Sequence, residues 1–509
     1  MNRREFLGLA ATAGGTLLTA GCAGSPPLRL DAELTADLGR LPYHGLVESL
    51  PEERDYEAGV EGRIPPELRG SLYRNGPGLF ERNGLRKRSL LDGDGMIQQF
   101  RFHDKGVHYR TRFVRTAKFR AESAAGRFLY PTWSTLAPGG WLANFWMTDA
   151  IKGQAGVTVY LVNGRLYAFD ESSYPYELDP ATLETIGETS LGIPRSETIY
   201  SAHSKIDPAT GEWLHFGVRY GATPTLHISV FRADGRPRYH RAIPLPRLVY
   251  IHDWFVSTTH LIANLHPMEI DFWPALFGFR SISDSLRWRP EKGNQLLVIP
   301  RDPTGSPVTL EAPACFMWHS LNAWDDGREI TADFVGYTNP DHLVGRDPII
   351  SAVMEGRTGS HTCPGLLRRY RIDLPGRRVR QEVLAEGRSF EWPRMDERLR
   401  CRPYRLGWLA ETHPGDFFWK RVTGFDVTSG AMEHYDFGPD IYCSEPVFVP
   451  RPGGGHDEGW VLSECYDGGS NRSFLAVLDS LRLAWGPLAL VRLSHHVPFS
   501  YHGWWQAGE

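Results

Sequence analysis

The sequence predicts a large all-β protein, and three observations carry this prediction. Gly 53 and Pro 37 together exceed the usual share of the 509 residues, which indicates many turns. Aromatic residues make up 12% of the chain, and strands favour aromatic side chains. From near Gly70, alternating apolar and polar runs recur about every 8–12 residues, as in sandwiches and propellers. A β-propeller suits this length best, because each blade takes about 40–45 residues and further blades can be added.

The first element is a targeting segment over residues 1–25. Arg3 and Arg4 precede an apolar run that ends near Leu18, and small residues precede Cys22. The segment resembles a twin-arginine export signal, and the residues before Cys22 resemble a lipoprotein cleavage site. The apolar run is shorter than the roughly 20 residues of a membrane span. We expect an exported protein, periplasmic or membrane-associated, with lipidation of Cys22 left open.

Residues 26–509 are expected to form a single catalytic domain. An Asn-Gly turn at 163–164 between two apolar runs predicts a β-hairpin, and other turn signals separate further strands. Helical periodicity is scarce. Short helices are predicted at Trp141–Ala150, at Pro274–Leu286 and near Asp341–Val353.

Charge and cysteine content exclude several classes of protein. The formal net charge is −4, so no basic field attracts nucleic acid. The six cysteines show no CxxC spacing, which argues against a thiolate zinc site and a disulfide framework, although one disulfide remains open. No protein partner can be inferred.

Four histidines stand in similar settings, late in strand-like runs beside aromatic or small residues. They are His203, His252, His319 and His502, separated by 49, 67 and 183 residues. Neutral imidazoles suit iron, zinc or copper. Spacing alone leaves core packing as the alternative role for each of them.

Nine segments together resemble the carotenoid cleavage oxygenases, in that family's order from about Gly62 to Trp504. They are "GRIPPELRGSLYRNGPG", "DGDGMIQQF", "AFDESSYPYELDPATLETIG", "AHSKIDPATGE", "IHDWFVST", "WHSLNAWDDG", "SEPVFVPRPGG", "DEGWVLSECYD" and "FSYHGWW". The resemblance implies a seven-bladed β-propeller, with inserted loops and short helices that form a cap over an iron site. It further implies that His203, His252, His319 and His502 bind Fe(2+).

The resemblance also implies three glutamates behind the metal ligands, at Glu171, Glu391 and Glu445. A metal-bound histidine usually donates its second ring N–H to a carboxylate or a carbonyl. The alternatives are a solvated strand edge for Glu171, a loop charge for Glu391 and a turn residue for Glu445. Glu391 lies between Phe390 and Trp392, where an unpaired carboxylate would be costly to bury.

The substrate tunnel is expected to be aromatic, with Trp254, Phe255 and Trp318 on its wall, although core packing is the alternative for each. Asp170 stands where stilbene-cleaving relatives tend to carry a Lys, which argues mildly against a phenolic stilbene. Residues 156–159 read "GVTV" where many dioxygenases of the family carry Asn-Thr-Asn.

The segment 268–283 is rich in large apolar residues. It is either a buried helix or, as the resemblance implies, an apolar patch at the tunnel mouth that dips into a membrane. We expect the second role, carried by Phe272, Trp273, Leu276 and Phe277.

The sequence therefore predicts an iron-dependent dioxygenase that uses O₂ to cleave a conjugated C=C bond of a carotenoid or apocarotenoid into two carbonyl products. The alternatives are cleavage of a stilbene-type aryl-alkene, and a polyene-binding protein or isomerase that does not cleave.

Overall fold

The computed structural model of the chain describes residues 25–145, 153–220 and 223–508. The predicted export signal up to residue 24, with Cys22, lies outside these residues. The five described cysteines, Cys315, Cys363, Cys401, Cys443 and Cys465, are all free thiols. None of the described helices is both long enough and apolar enough to cross a bilayer.

The chain enters through one short strand and two short helices: β1 (Leu28–Arg29), α1 (Ala32–Gly39) and α2 (His44–Val47). Helix α1 begins after Asp31, whose carboxylate accepts a hydrogen bond from the Leu34 backbone N–H. The next elements are β2 (Asp55–Gly62), β3 (Gly70–Leu79), β4 (Glu81–Arg82), β5 (Leu85–Arg86), β6 (Asp94–His103), β7 (Gly106–Phe113) and α3 (Ala117–Ala125).

Five four-stranded antiparallel sheets follow in chain order, and we call them blades 1 to 5. Blade 1 contains β8 (Thr158–Val162), β9 (Arg165–Phe169), β10 (Tyr176–Leu178) and β11 (Thr185–Glu188). Blade 2 contains β12 (Lys205–Asp207), β13 (Glu212–Arg219), β14 (Thr225–Phe231) and β15 (Pro237–Pro244). Blade 3 begins with β16 (Trp254–Val256) and β17 (His260–Leu265), and then carries an insertion of β18 (Met268–Ile270), α4 (Phe272–Leu276) and β19 (Leu286–Trp288).

Blade 3 is completed by β20 (Asn294–Pro300) and β21 (Val308–Ala312). Blade 4 contains β22 (Phe316–Asp325), β23 (Glu329–Tyr337), the inserted helix α5 (Ile349–Ala352), β24 (Leu366–Asp373) and β25 (Arg378–Val383). Blade 5 contains β26 (Ser389–Met395), β27 (Leu406–Thr412), β28 (Arg421–Asp426) and β29 (Met432–Asp436). The described 3₁₀ turns are Leu90–Asp92, Trp141–Asn144, Ser283–Ser285, Pro290–Lys292, Val353–Glu355, Glu397–Leu399 and Leu483–Trp485.

Blades 6 and 7 belong to one ten-stranded sheet that closes the ring. Blade 6 contains β30 (Ile441–Cys443), β31 (Val447–Pro450), β32 (Gly459–Asp467), β33 (Arg472–Asp479) and β34 (Pro487–Arg492). In blade 7 the last strand, β35 (His502–Ala507), pairs with β3, and β6 and β7 follow outward. Strand β2 joins the two blades, because 55–58 pair with β7 and 59–62 pair with β34. The described residues therefore form the predicted seven-bladed propeller.

The core lies between the blades and not along the axis. Apolar clusters fill the spaces between neighbouring sheets, as between blades 2 and 3, where Phe216 packs on Trp254. Innermost strands of neighbouring blades contact each other around the axis, from β16 through β22, β26, β31 and β35 to β8. Their axial ends are therefore free to present polar side chains to a common point.

Two predicted helices are much shorter in the structure. Helix α4 ends at Leu276, because Gly278 adopts φ +68° and redirects the chain, so Pro274–Leu286 is not one helix. The helix near Asp341–Val353 begins only after Pro348. Within Trp141–Ala150, residues 141–144 form a 3₁₀ turn and residues 146–150 lie outside the described part of the chain.

Candidate metal centre and its cavities

The four predicted histidines meet on the propeller axis. His203 and His252 each stand two residues before an innermost strand, β12 and β16. His319 lies within β22, and His502 is the first residue of β35. The propeller thus joins side chains up to 299 positions apart, since 502 − 203 = 299.

The imidazoles converge closely and are buried. One ring nitrogen from each of the four lies within 4.8 Å of the other three. The Nε2 atom of His252 is 3.0 Å from that of His203 and 3.2 Å from that of His319. Each histidine is 7% exposed or less, so bulk water does not separate them.

Three of the histidines are held from behind by the predicted glutamates. The Nδ1 to carboxylate distances are 2.7 Å for His252–Glu171, 2.5 Å for His319–Glu391 and 2.8 Å for His502–Glu445. These glutamates come from blades 1, 5 and 6, the three blades that supply no histidine to the cluster. His203 has no carboxylate partner among the described residues.

This arrangement fits a metal cation. A carboxylate that accepts from Nδ1–H fixes the proton on Nδ1 and leaves a lone pair on Nε2. Burial lowers the pKa of His502 to about 3 and lowers that of His203 well below its usual range, with neighbouring imidazoles adding to the effect for both. Neutral Nε2 lone pairs about 3 Å apart repel each other unless a cation lies between them. The four histidines therefore form a metal site.

Local irregularities in two inner strands aim the side chains inward. The pairing of β22 with β23 shifts on both sides of His319, and the pairing of β26 with β27 shifts between Glu391 and Arg394. Such bulges re-aim side chains next to functional sites. Trp392 also holds a left-handed φ of 56°, and its ring packs 4.8 Å from the His319 ring.

Several neighbouring groups besides its histidine stabilise the negative charge of Glu445. Burial raises its pKa, but Arg394, His502 and Arg74 outweigh burial and lower the pKa to about 2. Glu445 also accepts a 2.6 Å hydrogen bond from the Gly503 backbone N–H. It is therefore an anion that ties the start of β35 to blade 6.

Two cavities of different character meet at the histidines. An apolar cavity of about 360 Å³ reaches His252, His319 and His502. Its other walls include the aromatic residues Trp133, Tyr250, Trp318, Trp392, Phe418, Trp419 and Phe499. A polar cavity of about 300 Å³ reaches His203, His319 and His502, and its walls include Lys205, Asp253, Arg394, Glu397 and Arg400.

Of the three residues predicted for the tunnel wall, only Trp318 lines the apolar cavity. The prediction is wrong for Trp254 and Phe255, which are at most 1% exposed and pack in two clusters between blades. The reason is strand alternation: beyond His252 the chain enters β16, whose side chains point into the sheet interfaces.

The predicted mouth segment is partly exposed. Trp273 is 63% exposed and its ring stacks on that of Phe277. Leu276 is buried, so it packs under the segment and cannot be a membrane contact. Farther along the segment, Ile282 lines the apolar cavity. The Phe272 side chain is outside the description.

Several residues of the site were missed from the sequence. Tyr250 donates a 3.1 Å hydrogen bond to Glu171 from the cavity wall, and its hydroxyl is 3.0 Å from His252 Nδ1. Arg74 is fully buried and reaches Ser444, Ser500 and the Glu445 backbone. Arg74 precedes the run "NGPG" at 75–78, whose composition is typical of a turn, but the structure places the run within β3.

Known proteins share this architecture. The sequence profile of the family described as retinal pigment epithelial membrane protein matches residues 47–507. An apocarotenoid-15,15'-oxygenase of Synechocystis is 31% identical over 90% of this chain and 94% of its own length. A lignostilbene-alpha,beta-dioxygenase of Sphingomonas paucimobilis is 29% identical over 91% of this chain and 96% of its own. The structure of a cobalt-substituted Synechocystis apocarotenoid oxygenase superposes with a TM-score of 0.85, at 31% identity, over 92% of this chain and 98% of that one.

Proposed function

The chain belongs to the carotenoid cleavage oxygenase family, and on that premise we propose that it cleaves a conjugated C=C bond of a carotenoid or apocarotenoid. Both atoms of O₂ would enter the products, so that one alkene gives two carbonyl compounds. One observation carries the proposal: buried, neutral imidazoles lie on the wall of an apolar, aromatic cavity.

We propose Fe(II) as the metal, held by His203, His252, His319 and His502. Bound there, ferrous iron would supply the binding and activation of O₂. Glu171, Glu391 and Glu445 lie at hydrogen-bond distance from Nδ1 and so orient three imidazoles with the other ring nitrogen toward the metal.

The cavity walls position the substrate. Trp318 lies edge-on to the His252 ring at 4.7 Å, and Trp392 packs on His319 and His502. A flat, apolar polyene fits between such rings, which place one double bond beside the histidines and exclude water. The position of the scissile bond then depends on how far the polyene extends into the cavity.

Asp170 supports a polyene over a phenolic stilbene. It lines the cavity next to Glu171 and accepts hydrogen bonds from backbone N–H groups of residues 154 and 171. Burial raises its pKa, and the Glu171 charge adds to the rise. In either protonation state Asp170 supplies no positive charge to pair with a phenolate, whereas a basic group here would supply one.

Product analysis under ¹⁸O₂ tests the proposal. Iron-loaded protein is incubated with carotenoids, apocarotenoids and stilbenes, with His252→Ala as the metal-site variant and His215→Gln as a buried-histidine control. Labelled aldehydes or ketones from polyenes are expected from the wild type and the control only. Phenolic aldehydes would instead establish the aryl-alkene activity, and absence of any cleavage would leave a polyene-binding protein or isomerase.

We also propose that the mature protein is exported and rests on a membrane. The twin-arginine pattern before Cys22 supports export. The exposed Trp273, in the segment that leads to Ile282 on the cavity wall, supports a membrane contact through which an apolar substrate enters.

A further inference from the structure

A second polar cluster lies outside the four-histidine centre. Asp341, His342 and His361 each offer one atom, and these three atoms lie within 4.8 Å of one another. The atoms Asp341 Oδ1, His342 Nδ1 and His361 Nδ1 are buried, and none has a hydrogen-bond partner within residues 25–145, 153–220 and 223–508. Most buried polar atoms in folded proteins have hydrogen-bond partners, so three atoms without one in a single cluster leave places for a polar group of a ligand or for water.

The proton on His342 can be placed from its neighbour. Trp318 Nε1–H donates a 2.6 Å hydrogen bond to His342 Nε2, so Nε2 is the acceptor nitrogen. Burial lowers the pKa of His342 to about 3, and the ring is therefore neutral. Its single proton must lie on Nδ1, which is a donor aimed into the cluster.

Asp341 supplies the complementary acceptor. The Thr362 backbone N–H and hydroxyl donate to Oδ2 at 2.8 and 2.6 Å, whereas Oδ1 lies 3.6 Å from His361 Nδ1, beyond hydrogen-bond distance. Burial raises the pKa of Asp341, but the two Thr362 hydrogen bonds outweigh burial and hold the pKa below its usual range. The side chain is therefore a carboxylate.

The cluster stands at a polar end of the apolar cavity. His342 and His361 line that cavity, and Trp318 lies between His342 and the metal ligand His252, with ring centroids 6.0 and 4.7 Å away. His361, Ser389 and Thr412 also line an adjoining cavity of about 570 Å³, whose walls include the charged residues Arg388 and Glu411. A ligand in the first cavity that carries a polar group could therefore place that group at this cluster.

Building on the proposed function, we propose that Asp341, His342 and His361 bind a hydroxyl group on the polyene substrate. One oxygen atom placed among the three ligand atoms would lie within hydrogen-bond distance of each. A hydroxyl accepts from His342 Nδ1–H and donates to Asp341 Oδ1. A carbonyl could only accept and would face the carboxylate, and a cation would face the Nδ1–H proton. A hydroxyl matches both groups.

The test compares an apocarotenal with its 3-hydroxy derivative. Wild-type, iron-loaded enzyme is expected to show a kcat/KM at least tenfold higher for the hydroxylated compound, because a site built to bind a hydroxyl is left unpaired by the analogue without one. His342→Phe removes the donor and keeps a ring, and Asp341→Asn keeps the shape. In both variants the ratio of kcat/KM for the hydroxylated compound to kcat/KM for the other compound is expected to fall toward one. The paired change His413→Phe with Asp436→Asn alters an Asp–His pair outside the apolar cavity and should leave the ratio unchanged.

The affinity for each of the two compounds is measured separately, by quenching of tryptophan fluorescence in protein without iron. A hydroxyl preference in binding with no cleavage of either compound would overturn the proposed function and support the hydroxyl site. Equal affinities and equal kcat/KM values in the wild type would overturn the site and leave a cluster that holds water alone. A second equivalent of metal that His342→Phe removes would also overturn it.

Discussion

At the scale of the residue, the central feature is the pairing of an imidazole with a carboxylate. Each of His252, His319 and His502 is fixed through Nδ1, so its free nitrogen points to one place before any metal arrives. His203 has its Nε2 atom 3.0 Å from that of His252, and no carboxylate of the described residues holds it from behind. A carboxylate of the described residues thus orients three of the four imidazoles through the second ring nitrogen.

Glu445→Gln is expected to weaken metal binding about 10–100-fold. The amide cannot hold the His502 proton as a carboxylate does, and it leaves Arg74 and Arg394 without their shared anion. Anaerobic titration with Fe(II) or Co(II) measures the change. Glu411→Gln is the matched control, because Glu411 is equally buried and contacts Arg388, Arg421 and Thr423. Equal losses of affinity in the two variants would contradict the prediction.

At the scale of the element, strands set the site and inserted segments set its access. Strand β26 carries Glu391 at a bulge, and the insertion in blade 3 carries Trp273 at the surface and Ile282 at the cavity. A bulge removes some backbone pairing from its strand, but the sheet is also stabilised by the neighbouring blades that pack on it. The strands of the inserted segment form a separate sheet outside blade 3, so its exposed side chains can be altered without breaking the pairing of a blade.

Replacing Trp273 and Phe277 by Ser is expected to reduce sedimentation with liposomes at least several-fold, with far-UV circular dichroism unchanged. Trp273 is largely exposed and its ring stacks on that of Phe277, so the substitutions remove an apolar surface that lipid would cover. Trp485→Ser serves as the control, because Trp485 is 72% exposed in a different part of the chain. Binding that persists in the double variant would refute the membrane contact.

A cross-strand ion pair in blade 5 predicts a dependence of stability on pH. Asp436 pairs with Arg421 at 2.7 Å in register between β29 and β28. Burial raises its pKa, but Arg421, Gly438 and His413 outweigh burial and lower it to about 2, from an ordinary value of 3.8. The folded pKa is depressed, so the contribution is present above the ordinary value and is lost as pH falls through about 2.

Asp436→Asn should therefore lower the melting temperature by about 1–2 °C at pH 6. This gap between wild type and variant should close toward pH 2. Melting curves across this range measure it. In Asp104→Asn, where the carboxylate is 90% exposed, no such gap is expected. A gap in Asp436→Asn that stays constant with pH would show that the charge of Asp436 does not act through this pair.

At the scale of the whole molecule, closure of the ring is what makes the site. Blade 7 joins strands from the start of the chain with β35, and β2 spans blades 6 and 7. Every blade contributes either a histidine or a glutamate to the centre. A gap between any two blades would therefore separate groups that must meet.

Deleting 504–509 keeps all four histidines but removes four of the six residue pairs that join β35 to β3. We expect loss of stable metal binding and a fall in unfolding free energy of at least about 3–5 kcal/mol, the cost of losing one large buried aromatic side chain. Metal content and denaturant unfolding measure both. Deleting only 508–509 leaves β35 intact and is the control. Full metal content in the longer deletion would contradict the role of closure.

The sequence predicted some features of this molecule and missed others. The family resemblance located His203, Glu391 and their partners, since long-range contacts leave a pattern only across many related chains. Adjacency to His252 misled for Trp254, because His252 precedes β16 whereas Trp254 lies within this strand and packs between blades 2 and 3. His361 lies 19 positions after His342, with no motif to join them, so only the fold reveals that cluster.

The position of His502 in the chain also has a consequence for biosynthesis. A nascent polypeptide that has passed His319 carries three imidazoles of the site, and it must be extended by a further 183 residues before the fourth exists. Until then the nascent polypeptide offers a metal ion only an incomplete set of ligands. Coordination by all four histidines therefore requires that β35 has been synthesised and has paired with β3.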